Sequence, residues 1–386
     1  MPWPGVSPVD LRRLFARAYA AGGLSMTELC EHYGISRKTG YKWIGRVEHG
    51  GLDALADRSR RPRHSPRATD PVVVTALCDE RRRHPTWSAR KLLVRLRRAY
   101  PAWRWPARST GCALLQAHGL IRLSRRRRRG HAPPTPLAPV TAPNDTWTTD
   151  FKGEFRLGDG TTCYPLTLRD LYSRQVLRCD ALPEKSDRCA RPCFERAFRE
   201  YGLPIRMRSD NGGPFAAPGL TRLSHLSVWW LRLGIQLERI ALGHPEQNGA
   251  HEQFHRVLKA ETARPPAARL AAQQQRFRRF CTEYNTERPH EALADQPPAS
   301  RYTPSPRPCP TRVAPLEYPG HWEVRRVATT GQVSWAGHPL FLTEVLGGED
   351  VAFEEVDDGL WLLHFATIRL ARFEARTRTL TPLPYA

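Results

Sequence analysis

No apolar run in the 386 residues approaches the roughly 18 that a membrane span requires, which sets aside an integral membrane role. The first residues, MPWPGVSPVD, lack the basic-then-apolar order of a signal peptide. Nine cysteines form no CxxC pair and no regular framework, a usage that suits a reducing cytoplasm and excludes a disulfide scaffold. Lysine is scarce: six of the 60 basic residues, so part of the arginine excess reflects codon composition rather than phosphate chemistry. The repetitive compositions of collagen and mucin are absent. What remains, 40% hydrophobic and 9% aromatic residues, is enough for packed cores, and the length implies two to four domains.

Charge is unevenly distributed. The whole chain carries +22, yet residues 1–143 hold 28 basic and 9 acidic side chains, a net +19. A localised field of that size favours a polyanion, most simply nucleic acid.

Residues 9–48 read as three short helices. Ser25 and Glu28 form a capping box for the second, and Ser36 caps a third in which Trp43, Ile44 and Val47 face inward. A helix, a Gly-containing turn and a helix beginning Ser36-Arg37-Lys38-Thr39 form a helix-turn-helix pattern. Arg37, Lys38, Tyr41 and Lys42 are then the residues expected to contact bases. Gly40 departs from this pattern, because glycine inside a helix costs about 1 kcal/mol against alanine. The expected organisation is a helix-turn-helix unit over 1–52 and a basic linker over 53–70. A second helix-turn-helix-like unit spans 71–123, with helices at 72–83, 88–100 and 109–118. An Arg/Pro-rich linker at 124–143 contains Arg125, Arg126, Arg127, Arg128 and Arg129, read as DNA-backbone contacts.

From Asn144 the pattern changes. Strands are expected at 146–155, 161–169 and 175–182, a helix at 187–201 that Pro192 should kink or delay, and a strand at 205–209. A helix at 220–233, a strand at 235–240 and helices at 250–262 and 267–285 complete an α/β region over 144–300 in the order of an RNase H-type fold. Pro-rich residues 301–315 read as a linker, and 316–386 as a small β-barrel. No internal repeat is apparent.

Asp150 lies in the first strand of that region, Asp210 ends the fourth and Glu252 opens the helix after the loop 243–249. Three carboxylates suffice to hold two Mg²⁺ ions about 3.5–4 Å apart for in-line phosphoryl transfer, without a nucleophilic side chain. Asp170 reads as a neighbouring or turn residue, and Glu154 as too near the strand end to share a metal. Glu252, His255 and Lys259 fall at i, i+3 and i+7 on one helix face.

The words WTTDFKGEF, RSDNGGPF and HPEQNGAHEQFHRVLKAE, in that order, resemble the bacterial insertion-sequence transposases that share a catalytic core with retroviral integrases. The core likeness runs from about Trp147 to Ala292, and the helical front and β tail fit the family's architecture. The resemblance implies an Asp-Asp-Glu recombinase with Asp150, Asp210 and Glu252 as ligands of Mg²⁺ or Mn²⁺, two per site, and with Lys259 touching the transposon end. It implies cleavage at element ends, joining of the 3′-OH ends to target DNA, double-stranded DNA as partner, and at least a dimer on DNA in the bacterial cytoplasm. The His-His-Cys-Cys zinc module of the retroviral relatives has no match, so no zinc is expected. Two rival readings are a catalytically silent DNA-binding regulator and a plain RNase H-like nuclease. Counting alone favours Glu246, with 35 residues between it and Asp210 against 41 for Glu252. Glu252 is preferred because it keeps its place relative to Pro245, Gly249 and Lys259 and sits on a rigid helix.

Overall fold

A computed structural model describes residues 7–59, 68–121, 137–151, 153–240 and 249–383. The chain divides into two compact units, 1–68 and 69–386, with the boundary inside the expected 53–70 linker. No described helix is long and apolar enough to cross a membrane.

The first unit holds α1 (Pro8–Ala20), α2 (Met26–His32) and α3 (Arg37–Gly50). Ser7, Ser25 and Ser36 each cap a helix N-terminus, and the Ser25–Glu28 capping box forms as the spacing predicts. Phe15, Met26, Leu29, Cys30, Ile44 and Leu55 fill the core, with Trp43 and Val47 packed at its edge. Gly40 is explained by this packing. A Cβ there would lie 2.7 Å from Cys30 Sγ and 2.9 Å from Met26 Sδ, so only glycine lets α3 cross this closely.

The second unit begins with α4 (Pro71–Arg83), α5 (Ala89–Ala99) and α6 (Arg108–Ala117), each within a residue of expectation at either end. Leu77, Trp87, Leu92, Leu93, Leu96 and Leu115 form their common core. The sheet that follows contains β1 (Thr146–Phe151), β2 (Phe155–Arg156), β3 (Thr162–Asp170) and β4 (Val176–Leu182). Next come α7 (Asp187–Tyr201), β5 (Arg206–Ser209), α8 (His225–Arg232), β6 (Gln236–Arg239), α9 (Gly249–Thr262) and α10 (Leu270–Thr286). The strands run β4-β3-β1-β5-β6, with β2 also paired to β3. β1 is antiparallel to β3 and parallel to β5, and β5 is parallel to β6, the arrangement expected of an RNase H-like core. Trp147, Phe194, Phe198, Met207 and Trp230 fill one side of the sheet, and Phe254, Leu258, Phe277 and Phe280 the other.

Three local expectations change. The strand expected over 146–155 ends at Phe151, with Gly153 at φ +80° before the short β2. The helix expected at 220–233 forms only over His225–Arg232, started by a Ser224–Ser227 capping box. Pro192 neither delays nor ends α7. It sits on the exposed face, while Ala190, Cys193, Phe194, Ala197 and Phe198 hold the opposite face against the sheet.

The C-terminal residues form β7 (Glu323–Arg326), β8 (Gln332–Trp335), β9 (His338–Phe341), β10 (Asp350–Asp357), β11 (Leu360–Phe365), β12 (Ile368–Glu374) and β13 (Thr379–Pro382). This corrects the barrel expectation: the sheet is open, ordered β13-β12-β11-β10-β7, with β8 and β9 as a separate hairpin. Closure is unnecessary because other elements cover the apolar face. Trp335 of the hairpin packs 4.7 Å from Phe353 and 5.1 Å from Phe373, and Leu223, Val228 and Leu231 at α8 join the same core. The stretch expected as a linker, 301–315, is fastened to the core. Arg307 donates to the carbonyls of Pro204 at 2.6 Å and Gly234 at 2.9 Å, and Ser305 N donates to Tyr201 O at 2.8 Å.

α5 also docks on this core. Arg90 pairs with Asp295 at 3.0 Å, Arg95 with Glu287 at 2.8 Å and with buried Glu80 at 2.9 Å. His84 Nδ1 lies 2.9 Å from Glu283, and the Arg288 guanidinium sits 5.5 Å from the Trp87 ring.

Candidate active site

Asp150 and Asp210 come to the same end of neighbouring strands because β1 and β5 run in parallel. β1 and β5 pair with Thr148 opposite Arg208, so each aspartate lies two residues further on, at the same end of neighbouring strands. Strands in that direction are about 4.8 Å apart. Asp210 is half-buried, and burial raises its carboxyl above the ordinary range, opposed by the Gly212 N–H, 3.2 Å away, and the Lys185 charge. Asn211 Nδ2 donates to Ile240 O at 2.7 Å and ties this turn to the end of β6.

α9 is fixed over β1 and β3 by two buried histidines one turn apart. Thr167, opposite Asp150 across the β1–β3 pairing, donates its hydroxyl to Asp150 O at 3.0 Å. The same hydroxyl lies 2.6 Å from His251 Nε2 and 2.8 Å from His255 Nε2, which therefore act as donors. His251 Nδ1 is 3.1 Å from Thr148 Oγ1, and His255 Nδ1 faces Asp150 Oδ2 at 3.6 Å. With this face of α9 buried, Glu252 and Lys259 stay exposed beside it.

A cleft of about 640 Å³ opens there, lined by Asp150, Glu252, His255, Arg256, Lys259 and Arg264 among others. Asp150, Glu252 and Lys259 thus share one cavity; Asp210 is not among its lining residues and lies beyond the same end of the neighbouring strand. Sequence reasoning missed His251, Arg256 and Arg264. Two histidines spaced four apart around a candidate acid were the available signal for the first. Potential ligand atoms of Asp150, His251 and His255 lie within 4.8 Å of one another. Both Nε2 atoms and His251 Nδ1 are engaged by hydroxyls, however, so the imidazoles hold α9 to the sheet, and the carboxylates are the donors that face the cleft.

The two acids set aside in the sequence lie elsewhere. Asp170 is fully buried and accepts from Asn144 N at 2.8 Å, Ser173 N at 2.7 Å and Ser173 Oγ at 2.6 Å, a turn-forming role. Glu154 is exposed and does not line the cleft. Arg37, Lys38, Tyr41 and Lys42 are all exposed on α3, Tyr41 by 60%. Arg125 to Arg129, Pro245 and Glu246 lie outside the described residues.

A helix-turn-helix domain family matches residues 11–63 and a homeodomain-like domain family residues 39–111. Two integrase core domain families match residues 140–245 and 233–298. Among curated proteins, the chain is 29% identical over 189 residues to an insertion element IS407 protein of Burkholderia multivorans, covering 47% of this chain and 63% of that one. It is 27% identical over 158 residues to the transposase of insertion sequence element IS904 from Lactococcus lactis, covering 40% and 59%. The matches therefore span under two thirds of both relatives. Among solved structures, the HTLV-2 integrase catalytic core in complex with magnesium aligns with TM-score 0.34 and 12% identity, over 42% of this chain and 98% of that one. The simian T-cell lymphotropic virus intasome aligns with TM-score 0.38 and 14% identity, over 72% and 92%.

Proposed function

We propose that the chain, which matches integrase core families and resembles insertion-sequence transposases, cleaves DNA at element ends and joins the freed 3′-OH ends to target DNA. The observation that best supports this reading is the β1–β5 register, in which Asp150 and Asp210 follow the same end of paired parallel strands, with Asp150 and Glu252 lining one cleft. The donor set fits hard divalent cations. Asp150, Asp210 and Glu252 would hold Mg²⁺ or Mn²⁺, two per site, and bound cations would stabilise the charge of the phosphoryl group in transfer.

The chain's own groups do the rest. Arg256, Lys259 and Arg264 present positive charge along one wall of the cleft, where a DNA backbone would lie. His255, held by Thr167, limits how the Asp150 carboxylate can turn. Water attacks first and the 3′-OH second, and one site serves both steps because only the attacking oxygen changes. The helix-turn-helix units would read the terminal repeats, Arg37, Lys38, Tyr41 and Lys42 reaching base edges and the Arg125–Arg129 run adding phosphate contacts. Synapsis of two ends requires at least a dimer on DNA.

The test is nicking of a labelled repeat end, its sequence taken from the flanking genomic DNA, with Mn²⁺ present. Asp150→Asn, Asp210→Asn and Glu252→Gln should each lower cleavage and strand transfer by about 10²–10³-fold or more and leave end binding near wild type. Glu246→Gln should leave most of the activity. Near-normal turnover in any of the first three removes that residue from the set. End binding by the wild type without any nicking would favour the silent regulator instead.

A further inference from the structure

On the side of α9 facing away from the cleft, a second cavity of about 440 Å³ lies along the seam between α5 and the core. Its lining collects cations from four separate stretches: Lys91 of α5, Arg169 of β3, Arg174 of the following turn and Arg288 beyond α10. Arg169 and Arg288 are each only 3% exposed. Glu291, the one carboxylate among the described lining residues, is already paired with Arg90, and Arg288 is paired with Glu261 at 2.7 Å, so the cations with no ion pair among the described residues are Lys91 and Arg174. Gathering like charges in a half-enclosed space is unfavourable unless something negative offsets it. Burial first and the Arg288 charge second bring the Lys91 ammonium down to about 8, against the opposing charges of Glu261, Asp295 and Glu291. His290 also lines the cavity, and its Nε2 is buried with no hydrogen-bond partner among the described residues. Lys91 and Arg174 call for an acceptor, and the His290 ring joins them in the tautomer that carries its proton on Nε2.

We propose that this cavity is a phosphate-binding site, with Lys91 and Arg174 as the charged walls and His290, protonated at Nε2, as a neutral donor. Phosphate matches the site because its oxygens can accept from several converging donors while its charge offsets theirs. Phe254 and Tyr284 also line the cavity. The phosphate can come from a DNA backbone or from a free phosphate-bearing molecule.

The experiment uses the full chain and inorganic phosphate, with chloride at matched ionic strength as reference. Millimolar phosphate should raise the Tm of the wild type by about 2–4 °C. Lys91→Met and Arg174→Gln, whose own Tm without phosphate checks folding, should lose that rise. No phosphate-specific rise in the wild type, or an equal rise in both variants, overturns the proposal. The salt dependence of duplex binding then identifies the source. If a backbone phosphate fills the site, Lys91→Met lowers the slope by about 0.9 log units per log salt. If the slope is unchanged while the Tm response is lost, the occupant is a free phosphate.

Discussion

α3 and α6 each begin with an exposed arginine and reach a buried glycine at their fourth residue, Arg37 to Gly40 and Arg108 to Gly111. The two front bundles are therefore built on one local plan, three short helices whose last crosses the others at a glycine. Their cations have different destinations. In the first bundle Arg37, Lys38 and Lys42 lie on the surface, with Lys42, Arg12 and Arg46 also placed over the Trp43 ring at 5.3, 4.3 and 4.7 Å. In the second, Arg90, Arg95 and Arg98 are committed to Glu80, Glu287, Glu291 and Asp295 or to a backbone carbonyl. A net charge of +19 over residues 1–143 thus overstates the field available to DNA. Part of it is mortar between α5 and the core.

The contrast can be broken most directly through binding. Arg37→Ala and Lys38→Ala should each weaken a specific repeat end by about tenfold or more, with random DNA less affected and Tm unchanged, as mobility shifts and thermal melts would show. Equal losses on both DNAs would reduce α3 to a backbone contact. Arg95→Ala should do the opposite. Glu80, only 5% exposed, loses its 2.9 Å partner, so the second unit should lose about 2 kcal/mol while end binding persists. Unchanged stability with lost DNA binding would erase the distinction between the bundles.

The glycines sharpen the comparison further. Gly40→Ala forces a Cβ between Cys30 Sγ and Met26 Sδ and should cost about 1–3 kcal/mol in denaturant unfolding. Gly111→Ala is crowded by the flexible Leu93 Cδ1 at 3.0 Å, with Leu77 Cδ2 at an ordinary 3.7 Å, so the gain in helix propensity should nearly cancel the strain. The smallest effect concerns acid. Glu283 is held below the ordinary carboxylate range, chiefly by its hydrogen bond to His84, then by the charges of His84, Arg288 and Arg95 against the effect of burial. Its folded value being lowered, its contribution is present above the unfolded value and lost as pH falls through the folded one. Glu283→Gln should therefore flatten the acid limb of the α5 docking, followed by hydrogen exchange in α5, and leave α3 unaffected.

The front helices were legible because their signals are local: Ser25 and Ser36 cap, and Gly34 at φ +62° makes the turn. The sheet was legible for a similar reason, each strand being bounded by its own turn residues. What the sequence concealed depends on distant partners. Arg95 looks like any solvated arginine until Glu287 is brought to it, and Gly40 looks like a defect until Cys30 and Met26 surround it. The same holds for the site. Asp150, Asp210 and Glu252 could be singled out by their surrounding words, but the buried His251 and His255 acquire a role only when Thr167 comes from another strand. Closure of the C-terminal sheet was misjudged because short alternating strands do not say what covers their apolar face.

That cover has a consequence for truncated forms of the chain. Leu223, Val228 and Leu231 belong to the region between Asp210 and β6, yet they are buried against residues of the final seventy. A nonsense codon near position 315 would therefore remove a wall of the core itself. The shortened product would leave an apolar strip open to water and Arg232 without Glu349, and it should accumulate as aggregate rather than as a trimmed, soluble enzyme.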